Sequence, residues 1–581
     1  MVENNGLRLW RLRAVGAVVA IALLVLLGRL AYIQIARHDD YLARAQQAHL
    51  ARQDLVARRG AILDTNGYPL AMSIDTFDVY LYRPAWNDPE VAQDAAAALA
   101  PLLGRAQEEL VAFREEEGPA EFPIARDVDY ATSRRIAELR PAGIRLQRGS
   151  RRTYPEGNLA APLIGFLGFE GKGLTGLERD LEAVLSGRPG QVVYEQDGLG
   201  NPIGLGQSQT VPPQLGSDVL LTIDRYIQGL AERELDAAIE EHQAQGGDVI
   251  VMDVQTGAVL AMASRPSFDL TRPNLSDPDQ TNLFRNRAIT DPYEPGSVFK
   301  LITVAAALNE SLVIAESTYE DSGVFQIRPC RVGDKCYIRN WDFSANGTQT
   351  VTQLLRKSLN TGAAWLSQLL GRQRFYDYVH RFGFGQLTGI HLDGEAAGQV
   401  RTPNDQGWSS ADIATNSFGQ GISVTPLQMV AAVAAIANDG VLMQPYIVKE
   451  WTGPDGRRLS QPQAVRQVIT PQTARAMARI MNTAVENITA VQIPGYQVAG
   501  KTGTASIVRG NDYLPDRFVA SFAGFVPLSR PRIAILVKID EPQDVPWGSA
   551  VAAPTFGRLA ERILDYLRVP PEAPLLVRET R

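Results

Sequence analysis

The sequence has few residues that could build a disulfide framework or a metal centre. Its 581 residues include only two cysteines, Cys330 and Cys336, so disulfides do not define the fold. Its five histidines are scattered and form no His-Glu-x-x-His motif, and there is no paired Cys-x-x-Cys, which argues against a zinc site. The net charge of −7 is small, which argues against a nucleic-acid partner.

Lysine is scarce as well, with seven lysines against fifty arginines. Two of the seven stand where arginine could not do the same chemistry: Lys300 ends the run Glu294–Lys300, and Lys501 opens the run Lys501–Ala505. A desolvated lysine can lose its proton, whereas a guanidinium stays charged. Lys300 follows Ser297 by three residues, and this spacing suggests a serine nucleophile that is activated by a lysine base.

The N-terminus carries a long apolar segment. Residues 14–35 contain no charge other than Arg29 and would span about 33 Å as a helix, enough to cross a bilayer. We predict a transmembrane anchor over residues 14–36 and, because arginines precede it, a cytoplasmic tail over residues 1–13 with the rest of the chain outside. A cleaved signal peptide is the alternative, but the small-x-small pattern Ala43–Ala45 lies well past the apolar core.

The length predicts two domains beyond the anchor, residues 37–215 and 216–581. In the first, Ile62 and Leu63 are expected to form a strand that enters an Asn-Gly turn, and residues 88–143 are expected to be mostly helical.

In the second domain we expect a helix near residues 223–243 and a mainly helical stretch from 297 to about 440. Strands and a closing helix are expected at Asp248–Val254, Ala258–Ala263, Phe518–Phe525, Arg532–Asp540 and Ala552–Leu567. Strands at both ends with helices between them predict an α/β domain whose sheet joins distant segments.

Ser297 and Lys300 begin the strongest apolar helix pattern of this domain. Residues i and i+3 share a helix face, so the Lys300 amine can reach the Ser297 hydroxyl, and a helix N-terminus offers free N–H groups to an oxyanion. A capping serine with a solvated lysine is the alternative reading, although Phe299 and Leu301 flank Lys300.

Lys501-Thr502-Gly503-Thr504 precedes a strand-like alternation. Lys501 and the two threonine hydroxyls could hold a carboxylate, and Gly503 would let a substrate backbone lie close to the strand. An ordinary strand with an exposed lysine is the alternative.

The third element should be Ser-x-Asn, for which two candidates exist. Ser344-Ala345-Asn346 lies in a polar, turn-like run, whereas Ser358-Leu359-Asn360 joins two apolar helical segments. We choose Ser358 and Asn360, because a junction between buried helices fixes side chains better than a loop does.

The ordered trio Ser-x-x-Lys, Ser-x-Asn and Lys-Thr-Gly resembles that of the penicillin-binding proteins and class A β-lactamases. The resemblance extends to three further segments of the second domain, Gly247–Ser264, Gly419–Gln428 and Val551–Pro554. Upstream, Arg59–Asp64 and Gly176–Glu178 are similar to the non-catalytic pedestal of class B members. The segment before residue 215 does not read as the glycosyltransferase of class A. The end of the chain looks slightly more like the division type than the elongation type.

This resemblance implies a fold and a reaction. Residues 216–581 would form an α/β (α+β) transpeptidase domain like that of serine β-lactamases, with an antiparallel sheet flanked by helices and an all-helical lobe, preceded by an extended α+β pedestal and one transmembrane helix. The enzyme would be a peptidoglycan D,D-transpeptidase. Ser297 would attack the penultimate D-alanine carbonyl, Lys300 would accept its proton, and Ser358 would relay a proton to the leaving amine.

The resemblance also assigns substrate contacts and partners. Asn360 would orient the substrate amide, Lys501 would supply a lasting positive charge, Thr502 and Thr504 would bind the terminal carboxylate, and Gly503 would line the site. No metal or organic cofactor is implied. The expected partners are stem peptides, β-lactams, a polytopic membrane glycosyltransferase and other division or elongation proteins.

Other functions are compatible with parts of this pattern. A β-lactamase or D,D-carboxypeptidase would hydrolyse the acyl-enzyme, and a wall-assembly scaffold would lack the nucleophile that the intact trio provides. A Ser-His-Asp hydrolase is disfavoured, because no histidine lies near the three motifs.

In an extracytoplasmic stretch Cys330 and Cys336 could close a small disulfide loop, with two unpaired cysteines as the alternative.

Overall fold

The computed structural model describes most of the chain, namely residues 5–41, 50–195, 203, 208–328, 336–454, 456–509 and 512–572. Contacts divide the chain into two compact units. The first comprises residues 1–58 and 187–215, and the second comprises residues 59–186 and 216–581.

The first unit contains the N-terminal helix and a small sheet. The helix runs over Asn5–Ala31 and continues as a π-helical turn over Tyr32–Ala36. Its segment Leu9–Ala36 is long and apolar enough to cross a membrane. The sheet has three antiparallel strands, with the second of them in the middle: Leu50–Leu55, Gly190–Glu195 and Ser208–Val211.

The second unit begins with a mixed seven-stranded sheet built around the long strand Pro69–Tyr82. The predicted strand Ile62–Leu63 is confirmed, and Asp64 holds the turn after it by accepting the N–H groups of Asn66 and Tyr68 at 2.9 and 2.8 Å. The remaining strands of this sheet are Glu121–Val128, Ile144–Thr153, Asp218–Leu221, Val448–Gly453 and Gly456–Leu459.

The prediction that residues 88–143 are mostly helical is wrong for Glu121–Val128. Helices Pro89–Leu103, Gln107–Ala112 and Tyr130–Leu139 are present, but the segment between the last two is a strand that pairs with Pro69–Tyr82. Only Ile124 of this strand is fully buried, and the sequence shows little alternation of apolar and polar residues. The segment forms a strand because it pairs with Pro69–Tyr82.

A buried ionic network ties together distant parts of this region. The carboxylate of Glu178 is fully buried and accepts Nε–H from Arg59 and from Arg152, both at 2.7 Å. Arg59 also donates to Glu182 at 2.7 Å, and Arg152 donates to the carbonyl of Gly60 at 2.7 Å. The two motifs that resembled a pedestal therefore meet through their charged residues.

The central sheet of the second unit is antiparallel, as predicted, and it joins distant segments. Its strands, labelled in chain order, are β1 (Gly246–Asp253), β2 (Val259–Arg265), β3 (Ala499–Arg509), β4 (Asp512–Val526) and β5 (Ile533–Asp540). Their order in the sheet is β2-β1-β5-β4-β3, so β3 lies at one edge. The predicted strands Asp248–Val254 and Ala258–Ala263 are confirmed, and they pair with each other as the hairpin of β1 and β2.

In the described part of the chain, the helices of this unit include α1 (Arg225–Glu241), α2 (Lys300–Asn309), α3 (Val351–Lys357), α4 (Asn360–Arg381), α5 (Pro426–Ala437), α6 (Pro471–Val485) and α7 (Gly548–Tyr566). Val249 and Val251 of β1 pack with α1 and α7 on one face, and Ile250 and Met252 belong to the core that contains α5 on the other. The sheet is thus buried on both faces, which explains its continuous apolar strands.

Short elements complete the second unit. Short helices cover Arg83–Trp86, Ala161–Ile164, Gly176–Asp180, Glu182–Leu185, Pro278–Thr281, Asn282–Phe284, Arg287–Thr290, Gly296–Phe299, Ser410–Asn416 and Thr489–Val491. Strand pairs join Thr318–Asp321 with Gly347–Thr350, Val324–Gln326 with Tyr337–Arg339, and Val441–Met443 with Ala464–Gln467. Cys336 is disulfide-bonded, whereas Cys330 lies outside the described residues.

Candidate active site

Ser297 lies in a 3-10 turn, Gly296–Phe299, directly before α2. This turn is wedged against β3 and the loop at Gly419. Gly296 has φ of +54°, and a Cβ there would come within 2.8 Å of the Thr504 carbonyl oxygen. Its N–H donates to the carbonyl of Gly419 at 3.1 Å. The turn therefore needs glycine at residue 296, and this packing fixes the serine beside the edge strand.

Lys300 is the first residue of α2, and it is completely buried. Its Nζ lies 2.9 Å from Ser297 Oγ, 2.8 Å from Asn360 Oδ1, and 2.7 and 3.2 Å from the carbonyl oxygen and Oγ of Ser358. An ammonium has three protons for these four oxygens, whereas a neutral amine also has a lone pair that can accept a proton. Burial, and then the charge of Lys501, hold the pKa of Lys300 well below its usual value.

Ser358 ends α3 in the left-handed conformation, with φ of +57°. A residue other than glycine adopts this backbone only at some cost, and such strain often accompanies function. The conformation brings both oxygens of Ser358 to Lys300, and its Oγ is also 3.1 Å from Lys501 Nζ. One hydroxyl therefore bridges the two lysines.

Asn360 begins α4 and has a second anchor besides Lys300. Its Nδ2 donates to the carbonyl of Arg339 at 3.1 Å. Behind it, a buried group of side chains that sequence reasoning missed fixes the start of α4: Thr361 Oγ1 donates to Asp321 at 2.8 Å, and Asn340 Nδ2 donates to the same carboxylate at 2.9 Å. Asn360 is thus held in place from both sides.

The other Ser-x-Asn candidate binds elsewhere. Ser344 Oγ donates to Asp342 at 2.7 Å, and Asn346 Nδ2 donates to Asp321 at 2.8 Å. Ser358 thus contacts Lys300 and Lys501, and Asn360 contacts Lys300. Ser344 and Asn346 instead form hydrogen bonds that stabilise the loop before α3.

Lys501 projects from β3 and is only 3% exposed. Its Nζ donates to the Thr502 carbonyl at 3.0 Å and lies 3.3 Å from the Thr502 hydroxyl. Burial lowers the pKa of Lys501 to about 7. The positive charge expected of Lys501 therefore stays a prediction, and burial acts against it.

Gly503 and Thr504 are packed against the protein itself. A Cβ on Gly503 would come within 2.4 Å of Ser521 Oγ and 2.8 Å of a Val298 methyl group. The glycine is therefore needed for the packing of β3 against β4 and the nucleophile turn, and the close approach of a substrate backbone stays a prediction. Thr504 Oγ1 accepts the N–H of Gly548 at 3.3 Å.

Two further charged groups of this unit were not predicted from the sequence. Lys538 of β5 is buried and binds Asp248 at 2.9 Å and Asp540 at 2.7 Å. The contact with Asp248 depends on the register of β1 against β5, which no local pattern reveals. Glu294 lies three residues before Ser297, and burial raises its pKa to about 7.

Two family models match most of the chain. The family model described as penicillin binding protein transpeptidase domain matches residues 247–561, and the penicillin-binding protein dimerisation domain matches residues 54–221. Stage V sporulation protein D of Bacillus subtilis strain 168 is 33% identical over 560 residues, covering 95% of this chain and 85% of that protein.

Two further relatives match over nearly their whole length. Peptidoglycan D,D-transpeptidase FtsI of Escherichia coli strain K12 is 32% identical over 574 residues, covering 97% of this chain and 93% of that protein. The crystal structure of penicillin binding protein 3 from Mycobacterium tuberculosis, complexed with aztreonam, has a TM-score of 0.68 at 29% identity, covering 91% of this chain and all of that chain.

Ser297 contacts Lys300 and lies beside the edge strand of an antiparallel sheet, and both residues fall within the matched transpeptidase domain. The chain is therefore a protein of the penicillin-binding transpeptidase type. With the dimerisation domain before it and relatives of the same arrangement, the chain belongs to the class B penicillin-binding proteins. The resemblance drawn from the motifs is therefore confirmed, as is the predicted fold class.

Proposed function

We propose that this protein is a peptidoglycan D,D-transpeptidase that cross-links stem peptides through an acyl-enzyme on Ser297. The observation that carries the proposal is the 2.9 Å contact between Lys300 Nζ and Ser297 Oγ. Among the described residues no carboxylate pairs with Lys300, and burial lowers its pKa, so a neutral amine can act as a base.

The acylation step follows from this contact. Ser297 Oγ attacks the carbonyl carbon of the penultimate D-alanine while its proton passes to Lys300. The backbone N–H groups of Ser297 and Thr504 would stabilise the oxyanion. When the C–N bond breaks, the Ser358 hydroxyl, which lies between both lysines, relays a proton to the leaving amine, and the terminal D-alanine departs.

The second step forms the cross-link. An amine of a neighbouring stem attacks the Ser297 ester, a new amide bond forms, and the serine oxygen regains its proton. Asn360 orients the donor amide during both steps, since its own carboxamide is held by Lys300 and the Arg339 carbonyl.

We propose that Lys501, Thr502 and Thr504 hold the terminal carboxylate of the donor, with Gly503 keeping β3 close to the nucleophile turn. The carboxylate would raise the pKa of Lys501 from about 7, so that substrate binding itself completes the charge of the site.

We further propose the division of the chain into a cytoplasmic tail over residues 1–13, a transmembrane anchor over 14–36, a pedestal over 37–215 and a transpeptidase domain over 216–581. The apolar helix Leu9–Ala36 supports the anchor, and Arg11 and Arg13 favour the cytoplasmic side for its N-terminus. The catalytic domain then works outside the cytoplasmic membrane.

The proposed partners follow from the reaction. Stem peptides are the substrates, and β-lactams would acylate Ser297, consistent with the aztreonam complex of the similar mycobacterial protein. Cross-linking needs nascent glycan strands, so we propose a polytopic membrane glycosyltransferase and other division or elongation proteins as partners in septal or side-wall synthesis.

Labelling of the full-length protein in detergent tests the proposal. A fluorescent penicillin should attach covalently, peptide mass spectrometry should place it on Ser297, and S297A should remove it. Rapid turnover of the penicillin would favour a β-lactamase, and release of D-alanine without cross-linked product would favour a carboxypeptidase. Absence of any labelling would favour a wall-assembly scaffold.

A further inference from the structure

Phe418 is a buried aromatic side chain beside Lys300 that the reaction steps above leave unused. Lys300 Nζ lies over its ring, 6.0 Å from the ring centre, which is within the distance at which a ring attracts a cation. Phe418 is only 6% exposed and belongs to a small apolar cluster with Ala363 and Ala364 near the start of α4. In the described structure the amine therefore meets four uncharged oxygens and one aromatic face.

Two hydrogen bonds attach the backbone around Phe418 to the segment that carries the nucleophile and its base. The carbonyl of the preceding residue, Ser417, accepts the hydroxyl of Thr303 in α2 at 2.8 Å. The carbonyl of the following residue, Gly419, accepts the N–H of Gly296 at 3.1 Å. These two partners flank the serine and the lysine in the sequence, so the ring keeps its position relative to the amine.

The charge of Lys300 changes during the proposed acylation step. When Ser297 attacks, its proton passes to Lys300 Nζ, and a neutral amine becomes an ammonium at a completely buried position. Burial opposes this charge, and so does Lys501, the charged group that acts on Lys300 in the described structure. Any group that stabilises the ammonium therefore lowers the barrier to proton transfer.

An aromatic face suits this position better than a carboxylate would. A carboxylate beside Lys300 would hold the amine charged before the reaction, so that it could not act as a base. The face of a benzene ring carries a weak negative potential, which attracts a cation and has little effect on a neutral amine. The Phe418 ring can thus favour the ammonium without fixing the charge in the resting enzyme.

We infer that Phe418 is a positioning residue whose ring face stabilises the ammonium that Lys300 becomes when it takes the proton of Ser297. The proton moves from Ser297 Oγ to Lys300 Nζ, and the ring itself makes and breaks no bond. Its attraction grows as positive charge develops on the amine, so it acts on the transition state more than on the ground state. This inference rests on the proposed function, in which Lys300 is the base.

The test replaces Phe418 in the full-length protein by phenylalanine analogues with one, two and three ring fluorines. Fluorine withdraws electron density from the ring face and changes its shape little, so the attraction for a cation weakens stepwise. The rate constant for acylation by benzylpenicillin, measured on its pH plateau, should fall with each fluorine, by about three- to tenfold for three. The rise of the rate with pH should also move to lower pH, by up to about one unit, because the ammonium is less stable.

The same analogues at Phe556 are the matched control. Phe556 is fully buried and packs against Phe522, so its fluorination should leave both the plateau and the pH profile unchanged. F418L removes the ring but keeps an apolar side chain, and it should slow acylation at least as much as three fluorines do.

The pattern of rates separates the possible failures. Equal rates for the three Phe418 analogues would overturn the inference, and slow acylation by F418L alone would then show that the ring only fills space. Slowing that does not follow the number of fluorines, with an unshifted pH profile, would also mean a structural role and overturn the inference. In both cases normal acylation of the wild type would leave the transpeptidase proposal standing. A wild-type protein that benzylpenicillin does not acylate would overturn both.

Discussion

Lys300 and Lys538 are both buried, yet their surroundings move their pKa values in opposite directions. In the described structure Lys300 Nζ forms hydrogen bonds only with uncharged oxygens, and burial, followed by the charge of Lys501, lowers its pKa. Burial alone would also lower the pKa of Lys538, but the carboxylates of Asp540 and Asp248 outweigh it and raise the pKa. Lys300 therefore loses its proton more easily than an ordinary lysine, whereas Lys538 stays charged in ion pairs with Asp248 and Asp540.

This contrast predicts opposite effects of the same substitution on stability. K300M removes an amine that is costly to bury charged, so it should be neutral or raise the free energy of unfolding by up to about 2 kcal/mol while abolishing acylation. K538M leaves the buried Asp248 without its cation and Asp540 with Arg287 as its remaining cation in the described structure, which should cost about 3–5 kcal/mol. Thermal melting of the two variants measures the difference. Equal destabilisation would mean that Lys300 is a structural residue.

K300R tests the need for a group that can lose its proton. The guanidinium keeps the positive charge but cannot act as a base, so labelling by fluorescent penicillin should fall at least about a hundredfold. K357R is the matched control, because Lys357 is exposed and contacts only the loop residue Asn346 in the described structure. Labelling of K300R near the wild-type rate would exclude Lys300 as the base.

The hydroxyl of Ser358 can be separated from its backbone conformation. S358A and S358G should both slow acylation by about 10²–10⁴-fold, as expected for loss of a proton relay. Glycine accepts the φ of +57° without strain, so S358G should fold at least as stably as the wild type. S344A should acylate normally. Slow acylation by S344A, with S358A unaffected, would reverse the choice between the two motifs.

The pKa of Lys501, about 7, predicts how acylation depends on pH. Protonated Lys501 binds the donor carboxylate, so kcat/KM should fall as the pH rises through about 7. Deprotonation of Lys300 acts in the other direction and should raise the rate as the pH rises through its own lowered pKa.

Profiles over roughly pH 5 to 9 for a carboxylate donor and for its amide analogue check this dependence. The amide should lose the decline at high pH. K501R stays charged and should lose it too, while it keeps the rise. A decline that persists in K501R would assign it to another group.

Glu178 should be a stability residue without a role in acylation. Replacing it by alanine leaves Arg59 and Arg152 buried without their shared carboxylate, which should cost about 3–5 kcal/mol. E170A removes an exposed carboxylate paired with Lys172 and should change stability by less than about 1 kcal/mol. Chemical denaturation of both variants measures the difference. A mild effect of E178A would mean that the network relaxes around water.

Local apolar periodicity predicted the strands and helices whose apolar residues are buried in the core. The hairpin β1–β2, the strand Phe518–Phe525 within β4 and the helix after Ser297 all carry strong apolar periodicity, so each could be located without its neighbours. The strand Glu121–Val128 could not, because its partner Pro69–Tyr82 stabilises it and it has little pattern of its own.

The same distinction holds within the site. Ser297 and Lys300 share one turn, so their contact followed from spacing alone. The contact between Lys300 and Ser358 depends on how α2 packs against the α3–α4 junction. The need for glycine at residue 503 depends on the neighbouring side chains of Val298 and Ser521. The lowered pKa of Lys501 also depends on burial that only the assembled fold creates.

Because β3 lies at an edge of the central sheet, an extended donor peptide could pair alongside it. A bound stem peptide would serve for a moment as its sixth strand, so the covalent intermediate should be more rigid and melt at a higher temperature than the free enzyme. An extended peptide mimic without any reactive group could fill the same gap. The edge of the sheet is therefore a surface that a non-reactive inhibitor could bind.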